Sequence, residues 1–192
     1  MTVDQRPFIK LIVLRYIALM IGVVVSFVAH GQEIVDVVSE EQARAYFERL
    51  EGKWIHRYVD REGEEKVFSV LSYRLSETKR GFVLVGTHDR DNEIEIFSYH
   101  RGSREIQWAA VQLSGNGRMI RKQPKEVRLS KCGKVAAWYE PKSREEAYRT
   151  AWSDDGNTLE VVFTNTTVGR DGTKRSWKTR VLDGPEEQSG TD

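Results

Sequence analysis

The chain has 192 residues, 39% of them hydrophobic and 31% charged, with five Trp, seven Tyr and seven Phe and a formal net charge of +1. That length supports one domain with a core of useful size, and the aromatic content argues against disorder. The balanced charge gives no global pull toward nucleic acid, so no nucleic-acid partner is expected. Cys132 is the single cysteine, so no intrachain disulfide can form and stability has to come from apolar burial.

The N-terminus has the build of a secretory signal. Arg6, Lys10 and Arg15 precede an uncharged apolar run from Tyr16 to Ala29, and Ala29-His30-Gly31 puts small residues where a signal peptidase reads. Cleavage is expected after Gly31, giving a periplasmic or secreted protein. The alternative is a retained N-terminal membrane anchor, because Leu11 to Ala29 nearly spans a bilayer of about 30 Å if Arg15 snorkels to the interface. Removal of residues 1–31 takes away three basic residues and Asp4, leaving 27 basic and 28 acidic residues and a net charge near −1. Cys132 lies too far along to be an N-terminal lipid-anchored cysteine.

Residues 32–51 form a linker and a helix. Ser39-Glu-Glu-Gln42 reads as a capping box, and Ala43, Tyr46, Phe47 and Leu50 follow at helical spacing, with Gly52 ending the helix. From Gly52 the pattern turns to period two, with turn residues at regular intervals. Strands are predicted at Gly52–Asp60, Lys66–Leu75, Phe82–His88, Ile94–His100, Ile106–Leu113, Arg118–Leu129, Lys134–Glu140, Ala147–Ser153, Thr158–Thr166 and Lys174–Leu182. The connectors Arg61-Glu-Gly63, Asp89-Arg-Asp-Asn92, Ser114-Gly-Asn-Gly117, Asp154-Asp-Gly-Asn157 and Arg170-Asp-Gly172 suit short hairpins. A mostly β fold follows, an antiparallel up-and-down barrel of about 8–10 strands over residues 52–182, closed so that no edge is left to aggregate. Residues 183–192 read as a disordered acidic tail.

At the helix-to-strand junction the residues Phe47-Glu-Arg-Leu-Glu-Gly-Lys-Trp54 contain a Leu-x-Gly-x-Trp element. It resembles the opening of lipocalin-like (calycin-type) exported bacterial barrels. The resemblance implies that the Gly lets the chain turn tightly into the first strand and that the Trp packs across one end of the barrel. Tyr99-His-Arg-Gly-Ser-Arg-Glu-Ile-Gln-Trp108, Arg149-Thr-Ala-Trp-Ser-Asp-Asp-Gly-Asn-Thr158 and Asp171-Gly-Thr-Lys-Arg-Ser-Trp177, before a closing Arg180, are similar to exported families of unknown function with this fold. The likeness spans Phe47 to Leu182 and implies a fold more than a function. Nitrobindin-type haem barrels open in a similar way but bind haem through a late-strand histidine. This chain has none after His100, and no cofactor is expected.

Trp54, His56 and Tyr58 alternate along the first strand and therefore share a face. With Trp108 and Trp138, which stand beside Ala109, Ala110, Ala136 and Ala137, they are the candidate ligand-binding residues. Those alanines either leave a cavity or permit close packing. His88 shares a face with Phe82 and Leu84, and His100 with Ile94 and Ile96, so both could look inward, from opposite rims. A zinc site needs ligands about 2 Å from one ion, and no His-x-His or His/Cys spacing supports one, so no metal is expected. Arg118, Arg121, Lys122, Lys125 and Arg128, continued by Lys131 and Lys134, make a basic stripe. It is a candidate surface for anionic envelope components or, as structure, an edge protected from pairing. No nucleophile elbow is present, Cys132 sits between lysines in a turn, and Asp154-Asp155 shape a turn, so no catalytic residue is assigned. Asn165-Thr-Thr matches a glycosylation sequon.

Three functions are therefore in play. The first is binding of a small apolar or amphipathic ligand inside the barrel. The second is envelope interaction or scaffolding through the outer surface. The third is an enzyme, a hydrolase or isomerase, using an interior polar cluster with His56 as acid or base.

Overall fold

The computed structural model describes residues 32–60, 62–90, 92–114, 116, 118–163 and 175–182, and its helix begins where the capping box requires. Ser39 Oγ accepts the Gln42 backbone N–H (3.1 Å), Gln42 Oε1 accepts the Ser39 N–H (3.0 Å), and α1 runs over Glu40–Leu50 with Ala43, Tyr46, Phe47 and Leu50 buried. The expected signal sequence, the expected turn at 170–172, the sequon at Asn165 and the acidic segment 183–192 lie outside the described residues.

Eleven strands follow: β1 (Gly52–Val59), β2 (Glu65–Thr78), β3 (Gly81–His88), β4 (Glu93–His100), β5 (Glu105–Leu113), β6 (Met119–Arg121), β7 (Lys125–Leu129), β8 (Val135–Tyr139), β9 (Glu146–Trp152), β10 (Thr158–Phe163) and β11 (Arg175–Arg180). Neighbours pair antiparallel in the order β4-β3-β2-β1-β11-β10-β9-β8-β7-β5-β6. An eight-residue ladder between β4 and β5 closes the ring. β6 and β7 both pair with β5, so the barrel wall has ten strands. The single strand expected over Arg118–Leu129 is thus two. Lys122 still donates its backbone N–H to Ala110 O (2.9 Å), but Pro124 has no N–H to continue the ladder. β6, paired on one side only, has all three residues exposed.

One end of the barrel is sealed. Helix α1 lies across it and places Tyr46, Phe47 and Leu50 in a single core cluster with Trp54, Phe97 and Trp152. The segment before the helix laces over the same end: Val35 N–H donates to Leu129 O (2.9 Å), Val38 N–H to Arg104 O (3.2 Å), and Tyr99 Oη to Val38 O (3.3 Å). The Leu-x-Gly-x-Trp element is the knot. Gly52 has φ +113°, and a Cβ there would come within 3.1 Å of Arg180 Nη1, so a side chain is disfavoured by both conformation and space. Trp54 is fully buried and donates Nε1–H to Leu50 O (2.7 Å). Arg180, from the last strand, lies 4.5 Å over the Trp54 ring and donates to the carbonyls of Glu51 (2.7 Å) and Arg49. First strand, last strand and helix end are joined through one indole.

Strand β4 corrects one expectation. His100, Ile94 and Ile96 do share a face, but it is the outer one: Ile94 and Ile96 are 43% and 38% exposed, while Glu93, Glu95, Phe97 and Tyr99 point inward and are buried. The two aromatic rings bury more apolar area than the two isoleucines would. The acids they bring along are neutralised by Lys178 inside the barrel and by the exposed Lys122, as described below.

Replacing Trp54 by Ala removes the buried indole and is expected to lower unfolding stability by about 3–5 kcal/mol, read from urea denaturation. Trp54→Phe, which keeps a ring under Arg180, should lose clearly less.

Candidate functional site

Below the sealed end lies a cavity of about 200 Å³. Alternation decides what faces it. From β4, β5, β8 and β9 come Phe97, Trp108, Trp138 and Tyr148; from β1 and β11 come His56, Ser176 and Lys178; Tyr46 and Leu50 of α1 close one end. In the ten-strand ring β8 stands four steps from β1, so the two sets face each other across the interior. The aromatic wall is ordered by its own contacts. Trp138 stacks on Tyr148 (centroids 5.0 Å, 21° between planes), while Trp108 and Phe97 meet Trp138 edge-on at 5.7 and 5.5 Å. Ala110 and Ala136 are buried in the same core cluster as Phe97, Trp108 and Trp138.

The opposite wall is polar. His56 pairs in register with Lys178 on β11 and with Ser69 on β2. Tyr73 reaches over Gly86 to Glu95, the three residues standing side by side on β2, β3 and β4. A Cβ at Gly86 would lie 2.3 Å from the Tyr73 ring, so the phenol occupies the space that glycine leaves. Tyr73 Oη donates to Glu95 Oε2 (2.7 Å) and accepts from Lys178 Nζ (2.6 Å), and Lys178 Nζ stands 3.7 Å from Glu95 Oε2. His88 Nε2 lies 3.2 Å from Glu95 Oε1, and Ser69 Oγ is 3.1 Å from His88 Nδ1. Burial alone would raise the pKa of Glu95; the Lys178 charge and the contacts from His88 and Tyr73 outweigh it and hold the carboxyl far below its ordinary range. The carboxylate is ionised at neutral pH, opposite one ammonium.

His56 behaves differently. Burial, then the neighbouring Lys178 charge, lowers its pKa from 6.5 to about 3, with Glu95 opposing in part. Its imidazole is neutral at pH 7, and neither ring nitrogen has a hydrogen-bond partner among the described residues. Phe68 packs edge-on against the ring at 5.2 Å. It gets there through a β-bulge: the register between β1 and β2 shifts after His56, leaving Phe68 as the extra residue. Deeper in the cavity, Thr150 Oγ1 accepts from Trp138 Nε1 (3.3 Å).

His88, Glu93 and Glu95 present ligand atoms within 4.8 Å of one another, one imidazole and two carboxylates of the kind that hold a divalent cation. Both acids already face ammonium groups. Lys122 Nζ contacts the two Glu93 oxygens at 2.7 and 2.6 Å, and Lys178 lies beside Glu95. A cation would have to displace the first and share space with the second.

The five candidate pocket residues thus separate. His56, Trp108 and Trp138 line the cavity. Trp54 packs at the sealed end against Trp152 and Arg180, and Tyr58 sits further toward the open rim, against Phe68. His88 points inward; His100 is exposed, and its Nδ1 accepts the Ser103 N–H at 3.3 Å. The basic stripe is partly consumed by ion pairs: Lys122 with Glu93, Lys125 with Glu140, Arg128 with Asp36 and Glu126, Lys131 with Glu33, Lys134 with Asp154. Arg118 and Arg121 are exposed. Cys132 is exposed, its thiol donating to Gln32 Oε1 at 2.8 Å. Glu95, Lys178, Tyr73 and Gly86 were not anticipated. A glycine in mid-strand is a mark of close approach, and Lys178 shares the strand face of Arg180; these were the available signals. No family model matches the chain, and a search of curated proteins returns no match. The architecture is a closed ten-strand antiparallel barrel with an N-terminal helix, consistent with a calycin or lipocalin-like fold.

Two outcomes follow from this geometry. As pH falls through about 6.5 the unfolded chain protonates His56 while the folded barrel does not until about 3, so stability is full above 6.5 and drains away between those values. Between pH 7.5 and 4.5, wild type should lose about 2.5 kcal/mol more than His56→Phe in urea titrations. Gly86→Ala drives a methyl into the Tyr73 ring and is expected to destabilise by about 1–3 kcal/mol. Gly86→Ala combined with Tyr73→Phe should be less than additive, since both disrupt the bond to Glu95.

Proposed function

We propose that the protein binds a small apolar or amphipathic molecule inside its barrel. The observation that carries this reading is the cavity in which an aromatic wall faces His56, an imidazole with both nitrogens buried and unpartnered among the described residues. Buried polar atoms are nearly always satisfied, and an unpartnered imidazole lining a largely apolar cavity is what a bound molecule would complete. At about 200 Å³ the space suits a molecule of roughly ten non-hydrogen atoms, somewhat larger than the benzene held by a cavity of about 150 Å³. It is too small for a porphyrin.

An interaction through the outer surface draws less support, since three of the five basic residues of the stripe named above for that role are engaged in ion pairs. Export rests on the sequence of the first 31 residues, with cleavage after Gly31 as our reading and a retained anchor as its rival.

Native mass spectrometry of the protein recovered from its own compartment tests both points. A reproducible small adduct is expected, lost on denaturation, on a chain whose denatured mass is that of residues 32–192. Val161→Trp, which fills the cavity from β10, should carry no adduct while keeping its melting temperature within a few degrees. A wild-type protein that is bare under native conditions overturns the binding reading, and a denatured mass that includes the first 31 residues overturns cleavage.

A further inference from the structure

We infer that the cavity selects an uncharged, planar aromatic molecule bearing a hydrogen-bonding group that it presents to His56. The inference rests on the binding reading above and adds the chemical class of the ligand. Shape, charge and polarity each argue for it from separate observations.

Shape comes from the aromatic wall. Trp138 and Tyr148 lie nearly parallel, and Trp108 stands at 77° to Trp138. Two ring orientations close to perpendicular make a corner, and a flat ring seated there stacks on one face and meets the edge of the other, the two arrangements aromatic pairs prefer.

Charge is decided by Glu95 and Lys178, the ionisable side chains, beside His56 and the two tyrosines, that line the cavity. They stand 3.7 Å apart and are bridged by the Tyr73 hydroxyl, so their charges offset and neither is uncommitted. An anionic ligand would compete with Glu95 for Lys178, and a cationic one with Lys178 for Glu95. Either would bring a third charge into a low-dielectric interior with no counter-ion left for it. An uncharged ligand avoids that penalty.

Polarity is supplied by His56. A neutral imidazole offers one donor and one acceptor, both unpartnered here, on the wall opposite the tryptophans. A ring lying on the aromatic corner points its substituent across the cavity at that imidazole. His56→Phe keeps an aromatic ring against Phe68 but removes both hydrogen-bonding atoms.

A matched set of probes separates these elements. Benzamide, benzoate and benzamidinium share shape and size and differ in charge, and toluene has the ring without the polar group. Each is titrated at pH 7 into the full chain by calorimetry, with tryptophan fluorescence as a second readout. Benzamide is expected to bind, with benzoate and benzamidinium each about tenfold weaker or worse. In His56→Phe, benzamide should weaken about tenfold, the worth of one buried hydrogen bond, while toluene affinity stays as in wild type. Preference for either charged probe overturns the inference about charge, and equal loss of benzamide and toluene in the variant overturns the role given to His56. If none of the four binds, the inference falls as a whole. The adduct measurement above then decides independently whether the cavity holds a molecule of another kind.

Discussion

An ionised carboxylate inside a β-barrel must be neutralised where it stands, and Glu95 sets that demand. Its partners come from every side. Tyr73 and Lys178 approach from β2 and β11, and His88 from β3, so the network draws four strands together through one side chain. The demand explains Gly86, whose missing side chain lets the Tyr73 ring pass. It also shapes His56. With Lys178 directly opposite in register and the ring buried, the imidazole is kept uncharged. A buried ion pair of this kind is weak evidence of net stability, because desolvation offsets the attraction. Its consequence here is a cavity with no spare charge.

The sealed end solves a different problem. A barrel of this size needs a cover over one mouth, and the covering helix leaves backbone carbonyls at its C-terminus that need donors. Trp54 Nε1 and the Arg180 guanidinium supply them. Because Arg180 closes the last strand on the first, the same contacts finish the ring and fasten the lid. The cavity then lies between this rigid end and the open rim, where Tyr58 and Phe68 stand. The polar wall and the aromatic wall are held apart by the barrel's own circumference.

Much of this architecture was legible in the chain. The capping box, the helix stripe and nearly every strand could be read because each is a local pattern: a hydroxyl three residues from an amide, or apolar residues at a fixed period. The inward direction of Trp54 and His56 followed from alternation on β1. Strand β4 shows where local reading fails. Glu-Ile-Glu-Ile-Phe-Ser-Tyr-His has an apolar set on each face, and the isoleucines make the wrong face look like the core. The choice depends on Lys122, brought beside Glu93 by the β4-β5-β6 meander, and on Lys178, more than 80 residues away on the last strand. The break at Pro124 was visible as a residue type, but its effect, two short strands sharing β5, required the ladder.

The sequence by itself determined the helix, the order of strands and the absence of an intrachain disulfide, since these depend on residue type and near-neighbour spacing. Tertiary structure alone decided which side chains form the polar wall, how Phe68 reaches His56, and that much of the basic stripe is engaged in ion pairs. Those outcomes depend on register between strands distant in sequence. A one-residue shift of any ladder would exchange inside for outside, and only the closed ring holds each ladder at the register that keeps Glu95, Lys178 and His56 together.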